Sequence, residues 1–266
     1  MSWVEHAIWW HIYPLGLCGA PIREPDTAPG PRLRRLLGWL DYAVELGCSG
    51  LLLGPIFTSQ SHGYDSLDLF HIDPRLGDEA DFAELVSQCQ KRGLRILLDG
   101  VFSHVGAEHP DVQHALAQGP DSATGKLFDI DWQHPDAPTP RVFEGHSSLI
   151  RLNHSGREAV DLVARVMSHW LERGMDGWRL DAAYSVPPEF WSKVVKRVRS
   201  GHPNAWLLGE VLHGDYCAFV AESGIDSVTQ YELWKAIWSS INDRNLFELD
   251  HALGRHNQFL GSFIPN

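Results

Sequence analysis

No stretch of this 266-residue chain comes near the roughly 18 consecutive apolar positions of a membrane-spanning helix, so no span is expected. Met1-Ser2-Trp3-Val4-Glu5-His6 has no cationic segment leading into an apolar one, and no secretory signal is read there. Basic charge is scarce, with 22 Lys and Arg against 34 Asp and Glu, a net charge of -12. The densest basic patch, Arg32-Leu33-Arg34-Arg35, reads as the polar side of a helix. That balance excludes the basic footprint by which most nucleic-acid-binding proteins are recognised. Cysteine is sparse. Cys18, Cys48, Cys89 and Cys217 are scattered without C-x-x-C spacing and read as free thiols, which places the chain in the reducing cytoplasm. Fifteen His invite a metal site, but no H-E-x-x-H or comparable ligand spacing occurs. No internal repeat or low-complexity tract is present.

What remains suits one enzyme-sized domain. At 44% hydrophobic residues the chain can bury a large core. Eleven Trp, eleven Phe and six Tyr suit a carbohydrate cleft, because sugar rings have apolar faces that stack on aromatics, although core packing is the better reading of any single one.

Apolar runs alternate with amphipathic segments, the pattern of repeated β/α units and a parallel sheet. The spacing predicts strands at 7–13, 51–53, 94–99, 175–181, 205–210 and 226–230. It predicts helices over 32–46, 79–92, 156–172, from Pro187-Pro188 onward, over 216–222, and over 232–256. Gly47, Gly93 and Gly174 stand where helices should stop. Between them, 106–151 is rich in Pro, Asp, Gly and His and shows no periodicity. A stretch that long inside a compact domain is normally functional or a small subdomain. The fold class expected is α/β, a (β/α)8 barrel of the TIM type, incomplete at about six units. Residues 1–104 and 152–266 form the barrel part, and 105–151 form a subdomain inserted after strand three.

Three predicted strands end in a carboxylate: Asp99, Asp181 and Glu210. The C-terminal ends of barrel strands are where such folds keep catalytic groups. Two carboxyls converging on one cleft are the minimum equipment for glycoside hydrolysis. Arg179, two residues before Asp181 on the same strand, points to the same side. A cation there lowers the pKa of neighbouring carboxylates and favours an ionised Asp181. Glu210, flanked by Leu208 and Val211, is expected in a less polar setting that favours a protonated acid.

In order along the chain, several segments resemble motifs of the α-amylase family of glycoside hydrolases (family 13). They are Ile8-Trp9-Trp10-His11-Ile12-Tyr13-Pro14, His62-Gly63-Tyr64-Asp65 with His71-Ile72-Asp73-Pro74-Arg75-Leu76-Gly77, Asp99-Gly100-Val101-Phe102-Ser103-His104, Leu152-Asn153, Gly177-Trp178-Arg179-Leu180-Asp181, and Gly209-Glu210-Val211. The resemblance implies a retaining hydrolase of α-1,4-glucosidic bonds acting on maltooligosaccharides or other α-glucans. It implies Asp181 as nucleophile, Glu210 as general acid/base, and Arg179 as the cation that orients Asp181 and touches Asp65. It further implies that Tyr64 stacks on the sugar, that His104, His213, Asp65 and Phe102 line the sugar subsite, and that Asp99 holds the loop and its neighbours.

The chain departs from the family pattern in three places. No His-Asp pair follows Glu210, so the family's third carboxylate, strands seven and eight and the C-terminal β-domain are not seen, and the chain is expected to be part of a longer enzyme. Ser103 stands where the family often has the Asn that helps order calcium, so no metal or other cofactor is expected. Ala182-Ala183-Tyr184-Ser185 follows the nucleophile without the Lys-His pair of many long-chain amylases, which leaves the aglycone side undefined. A same-family transglycosylase or isomerase and a non-catalytic glucan-binding relative are the alternative functions. The sequence leaves the oligomeric state open.

Overall fold

A computed structural model describes residues 3–22, 28–134 and 137–265. Met1, Ser2, residues 23–27, Pro135 and Asp136 of the inserted segment, and Asn266 lie outside the described residues.

Six strands form one parallel sheet whose spatial order follows the chain: β1 (Trp9–Ile12), β2 (Gly50–Leu53), β3 (Arg95–Val101), β4 (Gly177–Asp181), β5 (Trp206–Gly209) and β6 (Ser227–Val228). Each successive pair is parallel, as a crossover through a helix requires. The sheet is an incomplete (β/α) barrel. Strand alternation divides the side chains between its two faces. Trp178 and Leu180 of β4 join the main core under the helices, where Trp178 meets Phe57 and Phe102 at ring separations of 6.1 and 5.5 Å. Leu52, Leu97, Trp206 and Leu208 make a second, smaller cluster with Val4 from the 3-10 turn Trp3–His6. Arg179 and Asp181 lie on the opposite face of β4 from Trp178, and register pairs Arg179 with Asp99 of β3 and Leu208 of β5.

The helices that cover the sheet start and stop where local chemistry requires. The helix α1 (Glu79–Lys91) opens with a capping box, in which Asp78 accepts from the backbone of Asp81 and the Asp81 side chain accepts from that of Asp78. The helix α2 (Arg157–Leu171) lays Val160, Val163, Met167 and Trp170 into the core, and the Trp170 indole donates to Leu69 O at 2.8 Å. The helix α3 (Pro188–Gly201) begins on proline, whose missing N–H costs nothing in a first turn. Gly47, Gly93 and Gly174 take φ of +86°, +71° and +95°, the left-handed geometry of a helix stop.

Two predicted helices differ. The segment over 32–46 is a 3-10 helix at Arg32–Trp39 and turns α-helical only at Leu40–Glu45. The helix predicted over 232–256 breaks at Arg244, which has φ +54°. The observed elements are α5 (Tyr231–Asp243) and α6 (Phe247–Phe259), after a short α4 (Tyr216–Ser223). The aperiodic stretch is not structureless. It contains helices Pro110–Gln118 and Ala123–Leu127, the latter capped by Ser122, and a three-stranded antiparallel sheet built on His146–Arg151. A hairpin of Phe57–Ser59 and Ser66–Ile72, not foreseen from the sequence, carries Tyr64 and Asp65 in its turn.

Among the described residues β1 and β6 each have one unpaired edge. Near β6, α5 and α6 leave Trp234, Trp238, Ile241 and Phe247 exposed, the last at 86%. An open apolar face beside a free strand edge is an aggregation liability. No helix among the described residues is long and apolar enough to cross a membrane.

Candidate active site

Asp99 lies two residues before the C-terminal end of β3, Asp181 ends β4 and Glu210 follows β5, and one guanidinium holds all three. Arg179 Nη1 lies 2.6 and 2.7 Å from the two Asp99 oxygens and 3.1 Å from Asp181 Oδ1. Its Nη2 lies 2.7 Å from Glu210 Oε1. The arrangement follows from register, because Arg179 sits directly beside Asp99 and one pleat below Asp181. The Arg179 side chain is 7% exposed and the Asp99 side chain fully buried, so these contacts form largely out of water. Three carboxylates around one cation leave the cluster with excess negative charge.

Burial, together with that excess, overturns the expected sign at Asp181. Burial first, and then the Asp99 and Glu210 charges, push its carboxyl up to about 7, although Arg179 opposes the shift. Burial raises Asp99 as well. The three carboxylates give Arg179 its charge partners and hold its pKa above the ordinary value against burial. Glu210 does not occupy the apolar setting expected of it. Tyr231 Oη donates to Oε1 at 2.8 Å and the Ala182 N–H to Oε2 at 2.8 Å, in addition to Arg179. The Ala182 contact uses a left-handed residue, φ +45°, that turns the chain back toward Glu210.

The other residues named from the sequence divide. Tyr64 reaches the cluster, its hydroxyl donating to Asp99 Oδ2 at 3.2 Å, and burial with the Asp99 charge raises its pKa. Asp65 does not touch Arg179. Its oxygens accept from Ser61 Oγ at 2.5 Å and the Gly63 N–H at 3.2 Å, which ties it into its own turn, while Asp99 takes the guanidinium. His104 has no free ring nitrogen for a sugar hydroxyl. Nδ1 is 2.7 Å from Ser103 Oγ and Nε2 is 2.9 Å from Tyr64 O, and burial lowers its pKa to about 4, which keeps the ring neutral. Phe102 is wholly buried against Trp178 and offers a substrate no surface; its part is packing. His213 is exposed in the loop after Glu210.

Three contributors were missed. Tyr231, at the start of α5, braces Glu210, and nothing in its local pattern marks it. Tyr184 donates its hydroxyl to Glu144 at 2.7 Å and its N–H to Glu210 O at 3.1 Å. The buried pair Arg75–Asp73 holds the hairpin that carries Tyr64. Arg75 Nη2 lies 2.6 Å from Asp73 Oδ2, and Arg75 Nη1 donates to Pro21 O and Ser61 O. Its signal was already visible in the Asp73-Pro74-Arg75 motif.

As to metals, no group of three or more His, Cys, Asp or Glu side chains among the described residues is placed to hold an ion. The Ser103 hydroxyl, in the position where a calcium-ordering Asn would stand, is engaged with His104.

The family model for the catalytic domain of α-amylase matches residues 33–253. The chain belongs to the α-amylase family. It is 33% identical over 228 residues to the intracellular maltogenic amylase of Bacillus subtilis (strain 168), covering 80% of this chain and 39% of that protein. It is 32% identical over 251 residues to a cyclomaltodextrinase of Geobacillus thermopakistaniensis (strain MAS1), covering 87% of this chain and 42% of that protein. Among solved structures, the cyclic α-maltosyl-(1→6)-maltose hydrolase from Arthrobacter globiformis superposes with a TM-score of 0.81 at 26% identity, over 96% of this chain and 62% of that one. The chain thus spans about two-fifths of the length of the curated relatives it matches.

Proposed function

We propose that this chain carries the catalytic carboxylates of a cytoplasmic retaining glycoside hydrolase that cleaves α-1,4-glucosidic bonds of maltooligosaccharides. The observation that carries the reading is the single guanidinium of Arg179 joining Asp181 and Glu210 at the ends of adjacent strands. A retaining mechanism needs two carboxyls facing one glycosidic bond from opposite sides, and a shared cation holds both to one cleft.

In the first step Asp181 attacks C1 of the sugar while Glu210 gives its proton to the departing oxygen. The C1–O bond to the leaving chain breaks as the C1–Asp181 ester bond forms. In the second step Glu210 takes a proton from water, whose oxygen attacks C1 and releases Asp181, restoring the original anomer. The Arg179 charge offsets the excess negative charge of the carboxylates and keeps Asp181 aimed. With the Asp181 carboxyl pushed up to about 7, the resting cluster holds a proton near neutral pH. Transfer of that proton to Glu210 on substrate binding gives an ionised nucleophile and a protonated acid. In this reading Tyr64, whose hydroxyl donates to Asp99, meets the sugar, and His213 is a further contact. The names of the relatives, maltogenic amylase and cyclomaltodextrinase, agree with short or cyclic glucans as substrates.

The test uses the full-length protein with Asp181→Asn and Glu210→Gln, assayed on maltotriose with NMR of the first-formed anomer. The reading expects the α-anomer and a loss of at least about a thousandfold for either variant, on the scale seen when one member of a catalytic set is removed. A β-anomer, or activity kept in both variants, would overturn it.

A further inference from the structure

The contacts around the carboxylates close into a ring. Phe143, in the hairpin of Val142–Phe143 and His146–Arg151, stacks on His104 with ring centroids 4.4 Å apart. His104 engages Tyr64 O, Tyr64 donates to Asp99, and Asp99 binds Arg179. Arg179 holds Asp181 and Glu210, and Glu210 O accepts the Tyr184 N–H. The Tyr184 hydroxyl then donates to Glu144 Oε1 and returns to the hairpin. Of these links the last is both exposed and made by two side-chain tips, so it is the one that opens at least cost.

Its position is specific. Tyr184 stands three residues after Asp181, and its pKa, raised first by burial and next by Glu144, is also raised by the Glu210 and Asp181 charges. The phenol therefore lies within electrostatic reach of both catalytic carboxylates. Glu144 occupies the tip of the hairpin turn at φ +48°, followed by Gly145 at +81°. A glutamate in left-handed backbone is unfavourable unless something retains it, and here its carboxylate closes the ring.

We infer that the Tyr184–Glu144 hydrogen bond is a strap that sets chain-length specificity, favouring short maltooligosaccharides over long ones. A short substrate ends before the strap. A longer chain running past Asp181 and Glu210 on that side has to break the bond before it can bind. The inference rests on the hydrolase reading above and adds the residues that limit its substrates.

The test is the ratio of kcat/KM for maltoheptaose to that for maltotriose, measured on the full-length protein, Tyr184→Phe, Glu144→Asn and the double variant. Phe removes only the hydroxyl; Asn tolerates the left-handed turn but is too short to bridge. The strap predicts that each single variant raises the ratio about three- to tenfold, the worth of one exposed hydrogen bond, and that the double raises it no further. An unchanged ratio, equal loss on both substrates, or additive effects would overturn it. If the unaltered full-length protein cleaves neither oligosaccharide, the hydrolase reading fails and the strap falls with it.

Discussion

Replacing Asp181 by Asn should stabilise the fold while removing the nucleophile. In the folded chain the Asp181 carboxyl is pushed from 3.8 up to about 7, chiefly by burial and by the Asp99 charge. An acid whose folded pKa is raised holds its proton more tightly folded than unfolded. Its favourable contribution is therefore complete below the unfolded value of 3.8 and is lost as pH rises through about 7. The shift is about 3 units, and at about 1.4 kcal/mol per unit the ionised group costs at most ~4 kcal/mol at pH 8. Asn keeps the shape and removes the charge, and Arg179 still has Asp99 and Glu210 as partners. The 266-residue Asp181→Asn chain should gain about 2–4 kcal/mol over the unaltered chain at pH 8 and less than about 1 kcal/mol at pH 4. Urea unfolding followed by tryptophan fluorescence at pH 8, 6 and 4 reads this directly. A loss of stability at pH 8, or the same gain at pH 4, would refute the claim that burial and excess negative charge disfavour an ionised Asp181 in this cluster.

Arg179→Met should cost about 3–5 kcal/mol, because it leaves buried carboxylates without their cation, and the loss should be larger at pH 8 than at pH 5 in the same unfolding assay. Tyr231→Phe removes one donor from Glu210; kcat/KM of the full-length protein should fall about five- to tenfold with less than about 1 kcal/mol change in stability. The pH profile of kcat/KM should fall as pH rises through about 7, where the cluster loses the proton that Glu210 needs, and a rate that keeps rising through 7 would contradict the charge balance described here.

The strands, their carboxylate ends and most helix limits were legible because they are written locally. Apolar runs end in Asp99, Asp181 and Glu210, and Gly47, Gly93 and Gly174 stop helices through their own backbone freedom. Contacts between segments far apart in sequence were not legible. Whether Arg179 meets Asp65 or Asp99 depends on the register of β4 against β3, which no local pattern encodes. The sign of the Asp181 shift depends on how many carboxylates share one cation and how deeply they are buried. Phe102 and His104 lie in a segment that matches a family motif, yet one packs in the core and the other spends both nitrogens on its neighbours. Tyr231 and Glu144 enter the site from an ordinary helix start and from a turn in an aperiodic stretch. Only the folded chain brings them to Glu210 and Tyr184.

The central claim is that Asp181 forms the covalent bond to the sugar. The most direct measurement incubates the full-length protein with a slow, fluorine-substituted α-glucosyl fluoride, digests it with pepsin and sequences the labelled peptide by mass spectrometry. The account predicts a single glucosyl ester on Asp181, reduced or absent in Asp181→Asn. A label on any other residue, or turnover that gives the inverted anomer without a label, would contradict it.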